Sequence, residues 1–261
     1  MDLNLTSKRA IVCGSTQGIG KAAAIELALL GASITLIARN EEKLQQVLNE
    51  LPKNQGQTHN YIAADFNYPD KLKDKINEFV KNSKADILVN NTGGPAEGQA
   101  IDADPEDYLK AFSNHLICNQ ILVQALVPTM KASGWGRIIN IISTSVKTPL
   151  KGLGVSNTTR GAVASWAKTL SFELAPFGIT VNNILPGFTM TGRLEALMQN
   201  RAEKENKSLE QIKNEMVQGI PAGRIGEAYE TAAAIAFLAS PAAAYINGVS
   251  IPVDGGSTPS I

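Results

Sequence analysis

Arg9-Ala10-Ile11-Val12-Cys13 runs into Gly14-Ser15-Thr16-Gln17-Gly18-Ile19-Gly20, and that turn runs into Lys21-Ala22-Ala23-Ala24-Ile25-Glu26-Leu27-Ala28-Leu29-Leu30-Gly31. The first stretch is a short apolar run with the Ile/Val character of a buried strand. The last is rich in strong helix formers and closes on a glycine. Between them, three glycines let the backbone turn tightly and come close to a ligand. Amide groups at the start of a helix lack carbonyl partners and sit at the positive end of its dipole, so this order of strand, turn and helix can hold a phosphate. A glycine-rich turn without any ligand is the competing reading of this stretch taken alone.

Outward from that unit, short Ile- and Val-rich runs alternate with helical periodicity. Strands are expected at residues 9–13, 33–38, 59–64, 86–90, 137–142, 180–185 and 249–253, and helices at 18–30, 41–51, 69–82, 105–132, 157–175 and 228–239. Strands that are apolar throughout belong to a parallel sheet covered on both faces, and each connection is long enough for a right-handed crossover. The expectation is one α/β domain over residues 1–261, a doubly wound, seven-stranded parallel sheet with helices on both faces. Residues 192–222, charged and amphipathic, break the rhythm and are expected to cover the strand ends. Ligands of such sheets bind beyond the carboxyl ends of the strands, which singles out the loops at 14–20, 39–40, 65–66, 91–94, 143–145 and 186–191.

Apolar residues make up 44% of the chain and charged residues 18%, enough to build a large core. Lys plus Arg number 24 and Asp plus Glu 24, so no global field exists to recruit nucleic acid or an anionic membrane, and neither partner is expected. No cationic leader and no run of about 18 apolar residues occurs, which points to the cytoplasm. Cys13 and Cys118 fit neither a disulfide framework nor metal-ligand spacing, and read as packed thiols; no metal is expected.

The spacing Gly14-x3-Gly18-x-Gly20 differs from the common G-x-G-x-x-G and resembles the fingerprint of the short-chain dehydrogenase/reductase family, in particular its 3-oxoacyl-carrier-protein reductase-like members. Asp65 stands where that family sets an acid against adenine. Asn90-Asn91-Thr92-Gly93 resembles its N-N-A-G turn, and Pro186-Gly187-Phe188-Thr189-Met190-Thr191 its P-G-x-x-x-T loop beside the nicotinamide. Ile220-Pro221-Ala222-Gly223-Arg224 and Val253-Asp254-Gly255-Gly256 continue the match. The resemblance implies a Rossmann-type pocket in which Gly14, Ser15, Gln17, Gly18, Ile19, Gly20, Asp65, Phe66, Asn91, Thr92, Gly93, Pro186, Gly187, Phe188 and Thr191 hold a dinucleotide. After the second strand, an acid would bind the ribose 2′-OH of NAD and an arginine the 2′-phosphate of NADP. Arg39 stands there, which favours NADP(H) over NAD(H); a merely solvated arginine is the alternative.

On the catalytic side the resemblance implies a Ser, a Tyr, a Lys four residues later, and an Asn on the preceding helix. Ser143 matches the serine, but the tyrosine place falls on Ser156, the lysine place on Arg160, and the asparagine place on His115, or on Asn114 if the helix is shifted by one residue. An aliphatic hydroxyl is a far weaker acid than a phenol, and a guanidinium does not exchange protons near neutrality, so a tyrosine mechanism is not available. Ser143, Ser156, Arg160 and His115 remain as the catalytic candidates: hydroxyls to bind a carbonyl or carboxylate, a cation to hold an anionic oxygen, and an imidazole that ordinarily titrates near neutral pH. Competing structural readings are an N-cap for Ser156 on a helix starting at Asn157, an enclosed histidine for His115, and an ion-pair partner for Arg160. Lys147 and Lys151 flank the serine as loop lysines; Tyr108, Tyr229 and Tyr245 match no catalytic position.

The function expected is an NADP(H)-dependent oxidoreductase moving hydride to or from a small polar or anionic carbonyl or alcohol. The alternatives are a catalytically inactive NADP(H)-binding sensor or structural protein, and a non-redox reaction on the same scaffold. Ala162, Ala164, Ser165 and Ala167, with the helix at 105–132, resemble the surfaces through which this family forms dimers and tetramers, so a homodimer or homotetramer is expected; an intramolecular packing face is the alternative.

Overall fold

Arg9–Cys13 (β1) is buried along all but its first residue, and its side chains alternate: Ala10 and Val12 enter one core, Ile11 and Cys13 the other. The computed structural model describes residues 1–260. In chain order the further strands are Ser33–Ala38 (β2), Asn60–Ala63 (β3), Ile87–Asn90 (β4), Gly136–Ile141 (β5), Ile179–Pro186 (β6), Thr189–Met190 (β7), Gly226–Glu227 (β8) and Ser250–Val253 (β9). The helices are Gly18–Leu29 (α1), Glu41–Glu50 (α2), Pro69–Asn82 (α3), Pro105–Phe112 (α4), Cys118–Ser133 (α5), Gly154–Leu174 (α6), Gly192–Glu205 (α7), Leu209–Gln218 (α8) and Ala228–Ala239 (α9). Seven strands form one parallel sheet in the order β3-β2-β1-β4-β5-β6-β9, so the expected doubly wound sheet is present. Chain direction along the sheet reverses between β1 and β4, which opens a crevice at their carboxyl ends.

One core packs α1, α2 and α9 on the face of Val12, Leu36 and Ile184; the other packs α3, α5 and α6 on the face of Ile11, Leu88 and Val181. On this second face a polar row crosses the sheet. Asn90 Nδ2 donates to Asn140 Oδ1 (2.9 Å), Asn140 Nδ2 to Asn183 Oδ1 (3.0 Å), and Asn183 Nδ2 to the Ser250 hydroxyl (3.1 Å). These residues are register partners, so the row fixes the relative heights of β4, β5, β6 and β9, whose ends carry the site loops.

Several expectations change. The helix expected at 105–132 is α4 and α5 joined by a π-helical turn, Ser113–Ile117. The helix expected to start at Asn157 starts at Gly154, with Leu153 as its N-cap, so Ser156 lies inside the first turn and does not cap it. β7 and β8 form a small parallel pair that the sequence did not announce. The stretch at 192–222 is two helices, α7 and α8, breaking at Asn206 in the left-handed region (φ 51°) and restarting at a Ser208–Gln211 capping box. They enclose a satellite core of Leu194, Met198, Ala202, Ile212, Ile220 and Ile225. Ala162, Ala164, Ser165 and Ala167 are not one face, because residues two apart on a helix point in nearly opposite directions. Ala167 is core, whereas Ser165, Lys168 and Phe172 form the exposed line. Cys13 and Cys118, remote in sequence, share the second core as packed thiols, and burial pushes the Cys118 thiol up to about 12. Among the described residues no helix is long and apolar enough to cross a membrane.

Candidate active site

The glycine turn is forced by geometry. Gly14 (φ 59°) and Gly18 (φ 55°) occupy the left-handed region, and a Cβ on Gly14 would stand 2.7 Å from Asn91. Asn91 Nδ2 in turn donates to the Cys13 and Gly14 carbonyls (3.3 Å each), locking the turn to the end of β4. At the N-terminus of α1, Gln17 provides no side-chain cap and the first turn holds no acid, so its amides and dipole are left facing the cleft. That is the donor set an anion needs, and a dinucleotide diphosphate fits it.

A cleft of ≈ 570 Å³ opens in front of this turn. Gly14, Gln17, Gly18, Ile19, Arg39, Asp65, Phe66, Asn91, Thr92, Gly93 and Thr191 all line it. Arg39 is exposed at the end of β2 with no carboxylate in ion-pair range among the described residues. Asn40 caps α2, and Glu41 accepts from the Tyr61 hydroxyl (2.9 Å), so the nearest acid is engaged elsewhere. The other expected residues do not line it. The Ser15 hydroxyl donates to the Ile37 carbonyl (3.3 Å), and Gly20 packs on the Gly14 carbonyl. Pro186 ends β6, Gly187 lies against Asp254, and Phe188 points to solvent.

A second pocket of ≈ 410 Å³ shares Gly93, Gly94, Lys110 and Asn114 with the cleft and reaches His115 and Val155. Of the catalytic candidates, His115 lines it, whereas Ser143, Ser156 and Arg160 line neither pocket. Ser143, just beyond β5, is half-buried, and its Oγ accepts from the Ser145 amide (3.1 Å). Ser156 and Arg160, one turn apart on α6, are both buried. Arg160 Nη1 donates to the Ile141 carbonyl (3.1 Å), and no carboxylate among the described residues pairs with it, which removes its reading as an ion-pair partner. His115 lies in the π-helical turn, 2% exposed, with Nδ1 hydrogen-bonded to the Thr92 hydroxyl. Burial, then the charges of Arg160 and Arg193, hold its pKa down to about 2. The expectation of an imidazole titrating near neutrality is therefore corrected: His115 is neutral. Asn114 Nδ2 donates to Asn67 (3.1 Å), while its Oδ1 is buried without a partner beside both pockets.

The family model described as enoyl-(acyl carrier protein) reductase matches residues 14–258. The chain belongs to that family, one of the short-chain dehydrogenases/reductases. NADPH-dependent reductase BacG of Bacillus subtilis is 31% identical over 259 residues, which cover 98% of this chain and 100% of that one. The 3-oxoacyl-(acyl-carrier-protein) reductase FabG of Rickettsia conorii is 35% identical over 254 residues, 97% of this chain and 98% of that one. The crystal structure of L-sorbose reductase from Gluconobacter frateurii, complexed with NADPH and L-sorbose, superposes with a TM-score of 0.94 at 28% identity, covering 100% of both chains. One fold thus serves a sugar and an acyl-carrier-protein ester, so the fold does not choose the acceptor of this short-chain dehydrogenase/reductase.

Asn67, Lys110 and Arg193 line the cleft of this dehydrogenase/reductase without having been singled out in its sequence. For Arg193 a signal was present. It sits in the first turn of α7, directly after the cap Thr191 and Gly192, where a cation opposes the helix dipole and gains nothing locally. Its Nη2 instead reaches across to the Pro95 carbonyl (3.1 Å), and its guanidinium lies on Gly94.

Proposed function

We propose that this short-chain dehydrogenase/reductase is an NADP(H)-dependent oxidoreductase acting on a small polar or anionic carbonyl or alcohol. The observation that carries the reading is the continuity of the Arg39-to-Thr191 cleft with the pocket lined by His115 and Val155. When bound, NADPH supplies the hydride. The α1 N-terminus holds its diphosphate and Arg39 the 2′-phosphate. Ser143 and Ser156 stand in the places of the family's serine and tyrosine, and Arg160 in that of its lysine. The two hydroxyls donate to the carbonyl oxygen, and the Arg160 charge stabilises the alkoxide as it develops. The alkoxide takes its proton from solvent, since His115 is neutral and serves by orienting Thr92. α7 and α8 cover the strand ends, with Thr191 and Arg193 lining the cleft. Two or four copies associate through the exposed Ser165, Lys168 and Phe172 line of α6 together with α5. The inactive-sensor reading draws no support from the relatives, which are named as reductases.

Absorbance at 340 nm, followed with NADPH across a panel of sugars, 2-oxo acids and 3-oxo esters, tests the activity. Consumption of NADPH with at least one class is expected, and Arg39→Glu is expected to weaken NADPH binding by about tenfold or more while leaving NADH nearly unchanged. Tight NADPH binding with no absorbance change across the panel would refute the oxidoreductase reading.

A further inference from the structure

Direct hydride transfer needs the reacting carbon within about 3–3.5 Å of the coenzyme, so reduction takes place where the cleft and the second pocket meet. Four residues line both cavities and mark that junction: Gly93, Gly94, Lys110 and Asn114. Of these, Lys110 alone has an ionisable side chain. It stands in the last turn of α4, exposed, and its ammonium enters no ion pair among the described residues. The alkoxide left by hydride transfer needs a proton, and the other groups around the site are poor donors. Ser143 and Ser156 are alcohols, no more acidic than the product itself. Arg160 and Arg193 carry guanidinium groups, which do not release protons near neutrality. His115 is neutral, and its Nδ1 is engaged with Thr92. The carboxylates lining the pocket, Glu97, Asp102 and Asp107, accept protons rather than give them. The Tyr108 hydroxyl donates to the Ala100 carbonyl (3.4 Å), and Tyr108, Lys147 and Lys151 line neither cavity.

We propose that Lys110 is the general acid of this enzyme: its ammonium protonates the alkoxide at the junction of the two cavities and is recharged by water. The proposal rests on the oxidoreductase reading above and gives the solvent proton its carrier. Hydride from the coenzyme forms the new C–H bond, and the carbonyl π electrons move to oxygen. That oxygen takes a proton from Nζ, whose N–H bond pair stays on nitrogen. The neutral amine regains a proton from water, which reaches it because the side chain is exposed. The sum is NADPH, one proton and the carbonyl compound giving NADP+ and the alcohol. An ammonium is a far stronger acid than an alcohol, so the proton moves downhill. In the direction of alcohol oxidation the same steps run backwards, with the amine as base.

The wild type, Lys110→Ala and Lys110→Arg are compared by NADPH consumption across the panel of sugars, 2-oxo acids and 3-oxo esters. A general acid contributes about 100-fold or more, so kcat is expected to fall by about that factor in both variants, because arginine keeps the charge but not the transferable proton. Ethylamine added at constant pH is expected to restore turnover to Lys110→Ala in proportion to its concentration, which a merely structural role would not allow. Lys110 is exposed on α4, so both variants keep the core whole, and thermal unfolding checks this. Wild-type kcat in Lys110→Arg overturns the proposal by reducing the residue to its charge. A loss confined to the KM for NADPH overturns it by assigning the lysine to the coenzyme, and so does a slow Lys110→Ala that ethylamine leaves unchanged; in each case the reductase stands. No NADPH consumption by the wild type refutes the underlying reading, and the general acid with it.

Discussion

His115 is a base that burial has disarmed. Its folded pKa of about 2 lies below the reference of about 6.5, so the unfolded chain binds a proton that the folded chain refuses. The stability this contributes is complete above the unfolded value and is lost as pH falls from about 6.5 toward 2. At pH 5.5 the loss from this one residue is about 1 kcal/mol relative to pH 7.5. His115→Gln, which keeps a hydrogen-bonding side chain for Thr92 and cannot take up that proton, is expected to flatten the pH dependence by this amount in urea unfolding at the two pH values. An unchanged slope, or an imidazole NMR titration with its midpoint near 6.5, would contradict the assignment. At this scale the turn after β1 was legible because backbone requirements write themselves as glycine, as at Gly14 and Gly18. Side-chain direction was not: Ser15 and Phe188 match a motif yet turn away from the cleft, and Arg193 matches none yet enters it.

Elements buried on both faces were readable as Ile/Val runs, and every strand of the main sheet lies within a residue or so of its expected place. The π-helical turn at Ser113–Ile117 was not, since its residues continue the apolar period of the helices on either side. α6 began three residues early because Gly154 is a poor helix former, and tertiary packing overrides that preference. The amide row was equally silent, as its asparagines lie on separate strands far apart in the sequence. Its consequence is measurable. Asn140→Leu keeps the volume but strands the Asn90 donor and the Asn183 acceptor in the interior. Each stranded group costs about 1–3 kcal/mol, so a loss of about 2–6 kcal/mol is expected in denaturant unfolding. A change below about 0.5 kcal/mol would mean that the row does not tie the strands together.

At the scale of the whole molecule, the coenzyme cleft draws on β1, β2, β3, β4, α1 and α7, elements spread along most of the chain. A ligand that joins them stabilises the folded state as a unit, by about 2.7 kcal/mol at a hundredfold excess over its dissociation constant. For a domain of this size that corresponds to a rise of about 5–10 °C in Tm. NADPH is expected to give this shift in a thermal melt, and NADH at the same concentration a smaller one, because Arg39 has no monoester to hold in NADH. α7 and α8 should follow the rest. Their ion pairs, Arg201 with Glu205 and Glu215, and Lys207 with the same two acids, fasten the two helices to each other, while Thr191, the N-cap of α7, lies beside Gly18 in the glycine turn. Hydrogen exchange is accordingly expected to slow in residues 192–218 when NADPH binds at the turn. Slowing confined to residues 14–20 would show that the two helices move independently of the coenzyme cleft.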